Sequence, residues 1–146
     1  MEQKTSGLTL SRHKILRWVL SLLFAVSILS ACSPKLPGGL NAEQVTNQAK
    51  QVVAQINAAD YNAVEAQFSD TMKTALPAGA LETAIGGIIT NLGTFKNFTS
   101  SAVEGGESAR TGKYAVVVLR ATYENGSAMY TISIDEAGKL TGLYVK

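Results

Sequence analysis

Hydrophobic positions along this chain change their period twice. Trp18 to Ala31 is an almost unbroken apolar run behind a polar, basic stretch. From Asn41 the period is helical: Ala42, Val45, Ala49, Val52, Val53 and Ile56 fall on one stripe, and Asn41 with Gln44 forms a capping-box pattern. Asp60 is placed to cap a second, shorter helix with Tyr61, Val64 and Phe68 inward, and Met72 and Leu76 carry the pattern on to Pro77. A third helix fits residues 79–92, with Leu81, Ile85, Ile88, Ile89 and Leu92 inward and Gly93 closing it as the C′ residue. Gly86-Gly87 inside that helix costs about 1 kcal/mol per glycine against alanine. The pair therefore predicts either a kink or a very close neighbour.

After Gly93 the period becomes that of strands. Residues 95–104 read as a weak first strand ended by a Gly105-Gly106 turn, and Lys113 to Tyr123 as a strong second one. Asn125-Gly126 is a type I′ hairpin signal, residues 128–134 alternate cleanly, Asp135 to Lys139 is a turn, and residues 140–145 form the last strand. A two-residue turn at 125–126 sets Tyr123 opposite Ala128, Ala121 opposite Tyr130, Leu119 opposite Ile132 and Val117 opposite Ile134. That set is apolar and should face the helices. Val116, Val118, Arg120, Thr122, Met129, Thr131 and Ser133 then share the other face, with Arg120 in water. Helices followed by an antiparallel meander predict an α+β fold with N-terminal helices on one face of a four-stranded sheet.

The chain of 146 residues has room for one domain. Its formal charge is +2, but Lys4, Arg12, Lys14 and Arg17 lie in the first 17 residues against the single acid Glu2. From Cys32 onward the chain is close to neutral, which removes the case for a nucleic-acid partner. Trp18 to Ala31 is shorter than the roughly 20 residues a helix needs to cross a bilayer. A basic start, an apolar centre and small residues before a cut are the parts of a secretory signal. Leu29-Ser30-Ala31-Cys32 matches the bacterial lipobox, in which the cysteine thiol takes diacylglycerol as a thioether and a membrane peptidase cuts before it. Residues 1–31 are thus read as a lipoprotein signal peptide. Residues 32–40 are the lipidated Cys32 (S-diacylglycerol, with N-acylation such as palmitate as an addition) and a flexible tether, and 41–146 is the domain. Two or more acyl chains exceed the threshold for stable anchoring. Ser33-Pro34-Lys35-Leu36-Pro37-Gly38-Gly39 predicts a tether without helix or strand, reaching roughly 25 Å at about 3.3 Å per residue. The expected location is the cell envelope, at the outer face of the cytoplasmic membrane or at the outer membrane. With one cysteine in the chain, stability has to come from the core and not from disulfides.

A spaced set of residues carries a further likeness. Tyr61-x-x-Val64-x-x-x-Phe68, Met72-Lys73, Ala75-Leu76-Pro77, Leu81, Leu92-Gly93-x-Phe95 and Gly138-Lys139-Leu140-x-Gly142-Leu143 resemble the bacterial domain of unknown function 3887, across roughly residues 41–146. That family is similar to the nuclear-transport-factor-2-like (cystatin-like) superfamily. The resemblance implies a bent sheet wrapped around helices as a cone, often with a pocket, and no established activity. Ala84-Ile85-Gly86-Gly87 departs from the bulkier helix usual in relatives, which implies a pocket of different shape.

Candidate chemistry is sparse. The single His13 lies in the leader, so the domain can build neither a Ser-His-Asp triad nor a His-bearing metal site. Cys32 is consumed by lipid, and Ser11-x-x-Lys14 also lies in the leader. Gly106 to Gly112-Lys113 fails as a phosphate loop in spacing, in its following Tyr114 and in the strand it precedes. Glu104, Glu107, Glu124, Asp135 and Glu136 sit near turns, Asp60 at a cap, and Glu43, Glu65 and Glu82 on solvated helix faces. The expectation is a non-enzyme without metal or cofactor: a binding module for a small apolar or amphipathic ligand or a peptide. Its candidate pocket comprises Tyr61, Phe68, Leu119 and Tyr130. An interaction or homodimerisation module docking another envelope protein is the alternative. A minor one is an isomerase-like enzyme using Asp60 or Asp70 with Tyr61 or Tyr130.

Overall fold

Asn41 opens the first helix, its side-chain oxygen accepting the Gln44 N–H at 3.0 Å. The computed structural model describes residues 36–146. The leader, the lipobox Leu29 to Cys32 and residues 33–35 lie outside the described residues. Helix α1 (Ala42–Asn57) buries Val45, Ala49, Val52, Val53 and Ile56, the stripe expected from their spacing. Packing of this stripe, not intrinsic propensity, is what holds a helix of this length in place.

The pattern from Asp60 to Leu76 breaks into two helices. Helix α2 (Tyr61–Glu65) starts at Asp60, which accepts the Ala63 N–H at 3.2 Å. The chain then extends so that Phe68 bridges Leu140, with the Ser69 N–H donating to the Leu140 carbonyl at 2.8 Å. Ser69 next caps α3 (Asp70–Ala75). A β-like contact to the last strand and a serine cap interrupt what periodicity alone reads as one helix.

Helix α4 (Ala80–Leu92) is continuous through Gly86-Gly87. Its glycines answer to a close neighbour: a Cβ on Gly86 would stand 3.3 Å from the Tyr61 hydroxyl, whereas one on Gly87 would meet nothing. Leu81, Ile85 and Ile89 are buried and Leu92 half-buried. Ile88 points outward, 41% exposed, contrary to expectation. The apolar side of α4 is wider than the surface it covers. Glu65 is not simply solvated; its carboxylate accepts the N–H groups of Gly79 (3.0 Å) and Leu81 (3.3 Å). It thereby caps a helix whose own N-cap, Gly79, has no side chain, and sets a negative charge at the positive helix end.

Strands β1 (Phe95–Ser108), β2 (Gly112–Tyr123), β3 (Ser127–Asp135) and β4 (Leu140–Val145) pair in chain order as an antiparallel meander. Strand β1 runs through Gly105-Gly106 instead of turning there. A Cβ on Gly105 would collide with Pro37 and one on Gly106 would lie 2.6 Å from the Tyr114 ring. These glycines mark close approach, not a reversal. The β2–β3 hairpin also departs from expectation. The Tyr123 N–H donates to Gly126 O at 2.8 Å, so Glu124 and Asn125 form the turn. Thr122 then pairs with Ser127, Leu119 with Tyr130 and Val117 with Ile132. This is two residues from the anticipated pairing, and an even slip keeps every side chain on its face. Neither Asn125 nor Gly126 has the positive φ of a type I′ turn. The Asn125 N–H donates to Leu92 O and the Glu124 N–H to Thr94 O, each at 2.9 Å. Tertiary hydrogen bonds from the end of α4 override the local turn preference.

Ala115, Val117, Leu119, Ala121, Tyr123, Ala128, Tyr130, Ile132 and Ile134 are buried against the helices, and Arg120 is exposed on the opposite face. Register shifts at Lys96, Thr99 and Thr141 insert bulges that bend the edge strands. The supposed tether is partly folded. Pro37–Gly39 forms a 3-10 turn with Gly38 at φ 70° and Gly39 at φ 77°, and Leu36 is buried in the core cluster. The glycines allow a reversal that lays Leu36 and Pro37 on the sheet at Gly105.

Phe68 (1% exposed) and Ile88 (41%) offer a direct check of this packing. Phe68→Ala is expected to cost about 3–5 kcal/mol in urea unfolding. Ile88→Ser should stay within about 0.5 kcal/mol of the parent. A large loss for Ile88→Ser would mean that α4 is rotated.

Candidate functional site

At one end of the sheet the helix stripes run out before the strands do. Ile56 and Asn57 at the end of α1, Tyr61 of α2, Ile89 and Thr90 of α4, and Thr94 and Phe95 entering β1 enclose an open cleft of about 550 Å³. Ile56, Tyr61, Ile89 and Phe95 give it apolar walls, and among the described residues no charged side chain lines it. Phe95 is held by Phe98 (ring centroids 5.0 Å apart) and by Tyr123, edge-on at 5.7 Å. Gly93 makes the sharp entry into β1 at φ 74°, ψ −149°. Its hypothetical Cβ would also crowd the Asn125 amide at 3.0 Å.

A chain of buried hydroxyls lies behind Asn57. Tyr123 and Tyr130 both face inward from their strands, and their hydroxyls are hydrogen-bonded to each other. The Tyr123 hydroxyl donates to Asn57 Oδ1 at 2.9 Å. Since that uses its one proton, Tyr130 must donate to Tyr123. Polarity therefore runs Tyr130 to Tyr123 to Asn57, and the chain ends on the Asn57 amide at the cleft. Burial, and then the Tyr123 hydrogen bond, push the Tyr130 phenol far above its ordinary value of 10.0, so it remains a donor. The Thr90 hydroxyl donates to Gly86 O at 2.9 Å and that of Thr94 to Glu124 at 3.3 Å, which leaves both oxygens with acceptor capacity. Among the described residues no buried side-chain polar atom lacks a partner.

The four residues expected at a pocket separate. Tyr61 lines the cleft, while Phe68 (1% exposed), Leu119 (0%) and Tyr130 (0%) lie in the core. Leu119 and Tyr130 meet as direct cross-strand partners. Phe68 lies with Leu140, away from the cleft. Their apolar character put them correctly inward, and inward is the filled side. Asn57, Ile89, Thr90 and Phe95 were not assigned to a pocket by sequence reasoning, although Ile89 was expected inward; the signal that could have found the cleft is the end of the α1 stripe at Ile56. Asp60 and Asp70 are both exposed, the first as a cap and the second in the first turn of α3. Neither bonds a tyrosine hydroxyl among the described residues. Those residues also contain no cluster of His, Cys, Asp or Glu able to hold a metal.

Residues 49–143 match the family model described as Protein of unknown function (DUF3887). The chain belongs to this family. The cleft and the Asn57–Tyr123–Tyr130 chain lie wholly within the matched DUF3887 residues. An NMR structure of a protein from Ruminococcus gnavus ATCC 29149 is similar, with a TM-score of 0.64 at 24% identity, covering 77% of this chain and 96% of that chain. The likeness shows a shared fold. No curated protein matches the chain.

Burial of Tyr130 has a consequence at alkaline pH. The unfolded chain releases this proton near the ordinary value, while the folded chain keeps it. Stability fully present below pH 10.0 is thus lost as pH rises past that point, by up to about 1.4 kcal/mol per pH unit. Tyr130→Phe has no such proton. Urea midpoints measured between roughly pH 10 and 11 should fall less steeply for the variant than for the parent. Equal slopes would put the Tyr130 hydroxyl in water.

Proposed function

We propose that this DUF3887 protein is a lipid-anchored envelope protein whose cleft holds a neutral, amphipathic ligand without catalysing a reaction on it. The cleft carries the reading. Its volume of about 550 Å³ falls within the roughly 300–1,000 Å³ of small-molecule sites, which combine apolar walls with a few placed polar groups. An uncharged lining disfavours ions, which would lose hydration there without a counter-charge. The Asn57 amide, oriented by the tyrosine chain behind it, suits a carbonyl, ether or hydroxyl oxygen of the ligand. The bulged, bent sheet and the helices on its inner face agree with a nuclear-transport-factor-2-like cone, in which such clefts recur. The lipobox at Leu29 to Cys32, the basic leader and the histidine-free domain support anchoring and a non-catalytic role.

A second reading has its own observation. Among the described residues no helix lies over the outer sheet face, and Tyr144 there is 61% exposed beside half-buried Val116, Val118 and Met129. A second copy or another envelope protein could cover that face.

Native mass spectrometry of the protein extracted from envelopes in mild detergent separates these readings. The expected spectrum is a monomer carrying a small molecule, which Thr90→Trp, filling the cleft mouth, should lose. A bare monomer would contradict ligand binding, and a dimer mass without added ligand would favour the sheet face. In the same preparation Cys32→Ala should accumulate as uncut, unlipidated precursor. Normal maturation of that variant would contradict the anchor.

A further inference from the structure

The strap formed by Leu36, Pro37 and the two glycines after it changes how far the domain can move from its anchor. Leu36 is 7% exposed and belongs to the core cluster. Pro37 occupies the space that a Cβ on Gly105 would need, and Gly38 abuts Glu136. The chain is therefore fixed to the domain from Leu36 onward. Between Cys32 and Leu36 there are four peptide steps, spanning at most about 14 Å even when fully extended.

The strap and the cleft lie at opposite ends of the fold. Gly105, under the strap, pairs with Ala115, and Ala115 pairs with Ile134, next to the β3–β4 turn. The first half of α1 adjoins the same end: Gln48 donates to Gly138 O in that turn at 2.7 Å. Leu40 and Val45 line a small hollow there with Gly38 and Ile134. The cleft takes the other end of α1, at Ile56 and Asn57. A helix of 16 residues separates the two ends by about 24 Å. Turning the cleft down onto the bilayer would lift the strap about 24 Å above it, farther than the roughly 14 Å that the lipidated cysteine can reach. A tether free up to Gly39, at roughly 25 Å, would have allowed that inversion.

We infer that the docked strap holds the anchored protein with its cleft turned away from the bilayer, so that the cleft loads its ligand from the aqueous side. This rests on the lipid anchor proposed above. The end turned toward the membrane carries the β1–β2 turn with Ala109 and Arg110 and the β3–β4 turn with Glu136 and Ala137.

Energy transfer from labelled cysteines tests the orientation. Cys32 is the one native cysteine and its sulfur is blocked by lipid, so Ala109→Cys and Ala58→Cys each label at a single position. Both residues are exposed, Ala109 in the β1–β2 turn and Ala58 just after α1 at the cleft end. The full lipidated chain is reconstituted into phosphatidylcholine vesicles containing a headgroup-labelled acceptor lipid. Transfer from position 109 is expected to be roughly twofold or more stronger than from position 58. In Gly105→Val, where the new side chain expels Pro37, the two values should converge. Equal transfer in the parent, stronger transfer from position 58, or an undiminished difference in Gly105→Val would overturn the orientation while leaving the anchor intact. Protein that fails to float with the vesicles would overturn the anchor and the orientation with it.

Discussion

Helix α1 lies across β1, β2 and β3 with Val45, Ala49, Val52, Val53 and Ile56 turned toward the sheet. The sheet answers with alternate residues of β2 and β3, from Ala115 to Tyr123 and from Ala128 to Ile134. This contact is the constraint on which the other parts of the fold depend. A two-residue period on one side must meet a 3.6-residue period on the other, and burial of apolar area is the main term holding them together. Phe68 and Leu140 extend the same layer at the β4 edge. Leu36 extends it at the strap, and Leu81, Ile85 and Ile89 on the α4 side.

The cleft follows from where this contact stops. After Ile56 the α1 stripe ends on Asn57, yet β2 and β3 continue inward with Tyr123 and Tyr130. Two phenol hydroxyls in a dry layer need partners. They find them in each other and in Asn57. This polar chain is therefore the termination of the core, and its fixed donor order orients the Asn57 amide at the cleft. At the opposite end the layer is closed by a short segment of chain from before α1, docked over a glycine. One end of the domain is tied to its own N-terminal segment, and the other is left open.

Much of this was legible because period is a direct imprint of the buried face. The α1 stripe, the inward set of β2 and β3, the order of the meander and the exposure of Arg120 follow from spacing alone. The failures have a common physical origin in groups that come together only after folding. Asn125-Gly126 favours a type I′ turn locally, but the carbonyls of Leu92 and Thr94 capture the Asn125 and Glu124 N–H groups and move the turn by one residue. Gly105-Gly106 resembles a turn because nothing local reveals Pro37 above one glycine and Tyr114 above the other. Glu65 caps a helix that begins 15 positions after it, beyond the range of any local pattern. The expectation put Phe68, Leu119 and Tyr130 inside, where they lie in the filled core and not along the cleft wall, since apolarity cannot tell one from the other. Tyr123 and Tyr130 on one face did carry a signal: paired inward hydroxyls require a third polar group, and Asn57 stood at the end of the stripe.

Whether the open end is the working end can be read in living cells with a photoreactive amino acid. One variant carries it at Thr90 in the cleft mouth, another at Tyr144 on the uncovered sheet face. The account predicts that irradiation adds a small-molecule mass at position 90 and none at position 144. A protein-sized adduct at position 144, with position 90 left unmodified, would contradict it and make the sheet face the functional surface.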